Sequence, residues 1–147
     1  MEQAEESTSK AVTGVRLITP HAPPTAFCRL LEEDFGTVSW RICAQDDIVG
    51  LVDAIYEGLS ACALVVIANA PAHGDSRFAF TAIQLMNAEI LRQEAPAQRE
   101  SGFLLAGKNG LPLCAIYANE EEACSTYSLL RPEIRRILQK ASKKQQP

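Results

Sequence analysis

Ala63-Leu64-Val65-Val66-Ile67-Ala68 is the stretch from which the fold is read. It is apolar without interruption, whereas a strand with one wet face shows a polar residue at every second position. A continuous run of this length suits a central parallel strand covered on both sides. It is far too short to span a bilayer. The polar segment Asn69 to Arg77 that follows reads as a loop at the strand's carboxyl end.

On the amino-terminal side, Ile48, Leu51, Val52, Ile55 and Leu59 recur at three- and four-residue steps, an amphipathic helix started by Asp46 or Asp47. Before it, Val38, Trp40 and Ile42 alternate with Thr37, Ser39 and Arg41 as in a strand, and the pattern assigns Trp40 to the core. Thr25 opens a helix carrying Phe27, Leu30 and Leu31, with Gly36 as its stop. Val15 to Thr19 is a short strand, ended by the extended loop Pro20-His21-Ala22-Pro23-Pro24.

Downstream, Phe78, Ile83, Met86, Ile90 and Leu91 predict one long helix from about Phe78 to Glu94. Gly102 to Ala106 and Leu111 to Tyr117 form a hairpin turned by Asn109-Gly110. Asn119 and Glu122 mark a helix start, and Pro132 is expected to break that helix and open a last one with Ile134 and Ile137. The alternation predicts an α/β fold: a mostly parallel sheet with helices on both faces, three layers, and a late antiparallel hairpin. One domain is expected over 12–138, between a disordered tail at 1–11 and a basic frayed tail at 139–147.

The 147 residues are 47% hydrophobic and 22% charged, the balance of an ordinary globular domain. A net charge of −4 opposes general attraction to nucleic acid or anionic membrane, yet leaves room for a small anionic ligand in a local pocket. Cys28, Cys43, Cys62, Cys114 and Cys124 are odd in number and include no Cys-x-x-Cys pair, and His21 and His73 are far apart. That spacing fits no zinc site and suits free thiols in a reducing cytoplasm, the expected location. No phosphate loop and no nucleophile elbow is present.

Several passages together resemble the molybdopterin-binding domain of bacterial molybdenum-cofactor enzymes and of gephyrin. They are Leu30-Leu31-Glu32-Glu33-Asp34-Phe35-Gly36, then Val38 to Ile42, then Asp46-Asp47, then Ala63 to Ala68. Gly110-Leu111-Pro112-Leu113-Cys114-Ala115-Ile116, Asn119 and Leu130-Arg131-Pro132 continue the likeness, which covers roughly Val15 to Leu138. The resemblance implies a ligand site at the loops after the third strand and after the hairpin. It thereby nominates Asn69, Ala70, His73, Gly74, Ser76, Arg77 and Asn119 as ligand-binding positions and Asp75 as the one catalytic candidate.

Those loops depart from the family pattern. Where the family has Gly-Gly-x-Ser-x-Gly, this chain has Asn69-Ala70-Pro71-Ala72-His73-Gly74. Side chains replace bare backbone and Pro71 removes an amide donor, both of which weaken an anion cradle. The family's acidic residue aligns with Arg77, a reversal of charge. Pro-Gly-Asn-Pro is replaced by Tyr117-Ala118-Asn119-Glu120, and Glu121 and Glu122 follow. A carboxylate a few ångströms from a phosphate, at an effective dielectric near 20, costs on the order of a few kcal/mol. The expectation is a divergent, non-catalytic relative that serves as a binding or assembly subunit, with no cofactor, and with a protein partner or a second copy of itself. An active cofactor enzyme using Asp75, with Asp47 on magnesium and molybdopterin as ligand, is the alternative. An interaction module unrelated to the cofactor is a third.

Overall fold

A computed structural model describes residues 14–20, 25–44, 47–69, 77–94 and 102–144. The apolar run forms β3 (Leu64–Asn69), and every residue in it is buried. It is flanked on one side by β1 (Val15–Thr19) and on the other by β6 (Leu111–Tyr117), both parallel to it. β2 (Val38–Ile42) pairs parallel with β1 at one edge. β5 (Gly102–Lys108) pairs antiparallel with β6, and β4 (Glu89–Glu94) pairs antiparallel with β5 at the other edge. The order is β2-β1-β3-β6-β5-β4.

Helices cover both faces. α1 (Thr25–Phe35) and α4 (Glu120–Lys144) bury Phe27, Leu31, Tyr127, Leu130 and Ile134 against Val15, Leu17, Leu64, Val66 and Ile116. α2 (Ile48–Ala61) and α3 (Arg77–Leu85) bury Leu51, Ile55, Ala82 and Ile83 against Ile18, Val65, Ile67 and Leu113 on the opposite side. Alternate residues of β1 and β3 thus serve different cores, which is why β3 tolerates no polar residue until its last position. Each large aliphatic side chain enclosed in this way contributes about 1.5–3 kcal/mol.

The hairpin turn is as expected: Asn109 and Gly110 take φ of 57° and 81°, the two left-handed positions of a tight two-residue turn. Three expectations are corrected. The helix after β3 stops at Leu85, and residues 89–94 are strand β4. Asn87 adopts φ 59°, a left-handed stop, and Lys108 Nζ donates to the freed Met86 carbonyl at 2.7 Å. Pro132 lies inside a single helix rather than between two, and that helix runs on through Gln139 to Lys144. Ser128 and Pro132 are both exposed, so the carbonyl without an amide partner is on the solvent side, where a proline is tolerated. Trp40 is 45% exposed rather than core, because β2 is an edge strand and the helix layer ends short of it. No helix among the described residues is long and apolar enough to cross a membrane.

Candidate functional site

The four parallel strands end together at Thr19, Ile42, Asn69 and Tyr117, and each is followed by a helix that begins at the same rim. The connection leaving β1 turns toward β2, while the one leaving β3 turns toward the opposite edge. The chain paths therefore diverge between β1 and β3, the place where open α/β sheets take their ligands. Because β3 and β6 are neighbours, the two loops nominated from sequence leave the sheet side by side. Asn69 pairs with Tyr117 in register, and Ala118 N–H donates to the Asn69 carbonyl at 3.0 Å.

Asn69 is 8% exposed and closes β3. Below it, Ile67, Ala79, Phe80, Ala115 and Tyr117 fill the strand ends, leaving no space wide enough for a water molecule. Of the nominated residues, Ala70, His73, Gly74, Asp75 and Ser76 fall outside the described residues. Arg77 opens α3, directly after that loop.

At three of the four helix starts the chain's own acceptors take backbone amides. Asp47 Oδ1 accepts from Gly50 N–H at 2.9 Å at the start of α2. Asn119 Oδ1 accepts from Glu122 N–H at 2.9 Å at the start of α4. Glu120 Oε2 accepts from Ala26 N–H at 2.7 Å, reaching from α4 to the first turn of α1. The first two are ordinary caps, worth about 1 kcal/mol each. The third places a carboxylate where a helix dipole would otherwise favour a bound anion. Glu121 and Glu122 stand exposed beside it.

An open cavity of about 860 Å³ borders this contact, between Thr25, Arg29 and Glu33 of α1 and Glu120, Cys124 and Ser128 of α4. Cys124 and, in the neighbouring helix, Cys28 have thiols pushed upward by burial first and by Glu120 as well; Glu32 adds to the shift of Cys28. Neither is an activated nucleophile. Among the described residues no group of three His, Cys, Asp or Glu side chains is placed to hold a metal ion.

The reading from sequence located the rim and the caps Asp47 and Asn119. It missed Thr19, which accepts the Trp40 indole N–H at 2.8 Å, and it missed the Glu120–Ala26 contact. Nothing in the local pattern signals either, since each joins residues from separate elements.

No protein-family model matches the sequence, and the comparison with curated proteins finds no match. Solved structures do match the fold. The molybdopterin biosynthesis MoeA protein from Pyrococcus horikosii superposes with a TM-score of 0.64 at 16% identity over 86% of this chain. The chain spans only 36% of that protein's length. The CinA protein of unknown function from Thermoplasma acidophilum superposes with a TM-score of 0.64 at 10% identity, covering 84% of this chain and 99% of the other. At such identities the likeness establishes the architecture alone: the chain shares the α/β fold of these two proteins.

Proposed function

We propose that this chain is a divergent, non-catalytic relative of the molybdopterin-binding domain, working as a binding or assembly subunit in molybdenum-cofactor or molybdoenzyme maturation. The link to that chemistry rests on the shared frame with a molybdopterin biosynthesis protein and on the resemblance of its motifs in order. The non-catalytic part rests on one observation above all: Glu120 occupies the first-turn amide of α1 at the rim. An anionic pterin phosphate brought there would meet a fixed carboxylate and its two exposed neighbours, and one first-turn amide each of α2 and α4 is already taken by Asp47 and Asn119. These residues do not fit molybdopterin. Asp47, the magnesium candidate of the enzyme alternative, is engaged as a helix cap.

The test is calorimetric titration of the purified chain with molybdopterin. No tight binding is expected, and sub-micromolar affinity would overturn the reading. The enzyme alternative makes the opposite forecast, turnover with ATP and magnesium that Asp75→Asn abolishes.

A further inference from the structure

The two edges of the sheet are built differently. β4 carries an irregularity between Ile90 and Arg92 and the charges Glu89, Arg92 and Glu94, and Arg92 is anchored to Glu133 of α4 at 2.9 Å. Bulges and charges are the devices by which proteins keep an edge strand from pairing with another chain. β2 has neither bulge nor proline. It runs in unbroken register with β1, and no strand among the described residues pairs with its outer side. Its one charge, Arg41, points to the α2 side, where Glu57 accepts from it at 3.2 Å. On the other side Trp40 is 45% and Ile42 59% exposed, in line with half-buried Val38.

We propose that β2 is the interface of a symmetric homodimer in which two copies of this chain pair their β2 strands antiparallel about Trp40. That register sets Val38 opposite Ile42, Trp40 opposite Trp40, and Ser39 opposite Arg41. All apolar side chains then share the α1 side of the joined sheet, and each Arg41 stands opposite Ser39, whose hydroxyl accepts from Arg16, rather than opposite a second Arg41. The charge pattern selects this register over its neighbours. Centring on Arg41 puts two arginines directly opposite each other, which is destabilising. Centring on Ser39 leaves Ile42 unpaired, and a shift by a single residue sets apolar sides against polar ones. The chain's own residues 1–13 are a poorer occupant, since Met1, Ala4, Ala11 and Val12 make no alternating apolar run. A five-residue strand pair is a small interface, in the weak and reversible class below about 1,200 Å². The inference is independent of any pterin.

Trp40 is the only tryptophan in the chain, so its emission reports on this surface directly. Sedimentation equilibrium and tryptophan emission of the full chain, followed on dilution through the micromolar range, test the proposal. A reversible dimer is expected, with emission moving to longer wavelength as it dissociates. Ile42→Lys should weaken association by at least about tenfold while leaving the far-ultraviolet circular dichroism unchanged. Leu129→Lys, at an equally exposed apolar residue on α4, should leave association as it was. A monomer at all concentrations would overturn the proposal, as would a dimer indifferent to Ile42→Lys. So would a monomer whose Trp40 emission shifts when residues 1–13 are deleted, which would name that segment as the occupant.

Discussion

Tyr127 donates its phenolic proton to Asp34 Oδ2 across 2.6 Å, tying the last turn of α1 to the second turn of α4. The same carboxylate is ion-paired with Arg131, Nε at 2.8 Å, and faces Arg135 at 3.6 Å, while the Arg131 guanidinium lies over the Tyr127 ring. Phe27 of α1 meets that ring edge-on with centroids 6.2 Å apart. The two helices that cover one face of the sheet are thus pinned by a half-buried polar contact beside an apolar one. Burial, and then the hydrogen bond and charge of Asp34, push the Tyr127 phenol well above its ordinary range.

Tyr127→Phe should cost about 1–2 kcal/mol in urea unfolding, because it removes one charged hydrogen bond and leaves Asp34 its two guanidinium partners. The phenol titrates higher in the folded chain than in the unfolded one, so its contribution is fully present below the unfolded value of about 10 and falls away as pH rises further. The stability difference between wild type and variant should therefore shrink in strong alkali. A difference that stays constant there would show that Tyr127 acts through packing alone.

Glu57 behaves in the opposite sense. The hydrogen bond from Arg16, aided by the nearby charges of Arg16 and Arg41, holds its carboxyl below the ordinary glutamate value against the opposing effect of desolvation. A depressed folded value means stability that is present above the unfolded value, about 4.3, and is lost as pH falls through the folded one. Glu57→Gln should lower the melting temperature at neutral pH and abolish this part of the acid transition. With the Glu57 side chain 47% exposed, water screens the network and the loss should be small, about 0.5–1 kcal/mol.

The thiols should divide into two groups under alkylation near neutral pH. Cys62 and Cys114 are buried, and burial pushes the Cys114 thiol up to about 12, so both should label only on unfolding. Cys28, Cys43 and Cys124 are half-buried and shifted upward by burial, with acidic neighbours adding to it, and should react more slowly than free cysteine. Mass-resolved labelling with and without urea separates the groups. A fast-labelling Cys28 or Cys124 would contradict the electrostatics described at the rim.

The parts of the fold legible in sequence were those encoded by local pattern. Ala63 to Ala68 announced a central strand because both faces of β3 are covered, and Asn109-Gly110 announced its turn because few other pairs adopt two left-handed positions. β4 was hidden because Ile90 and Leu91 continue the helical spacing of Ile83 and Met86. The stop at Asn87 depends on Lys108, a residue from another strand, to satisfy the Met86 carbonyl. Trp40 misled because alternation identifies a strand without saying whether the layer above it extends that far. At the rim, Asp47 and Asn119 were readable as caps since each acts three residues along its own chain. The Glu120–Ala26 contact was not, since its two ends meet only after the sheet has formed.

The register of Val65 with Leu113 has a kinetic meaning. β1 pairs with β2, β4 with β5 and β5 with β6 across modest lengths of chain, whereas Val15 meets Leu64 and Val65 meets Leu113 only across far longer ones. Both pairings of β3 therefore demand that a long stretch be drawn shut before any contact rewards it. Recruiting β3, the most deeply enclosed strand, is the step expected to set the pace of folding.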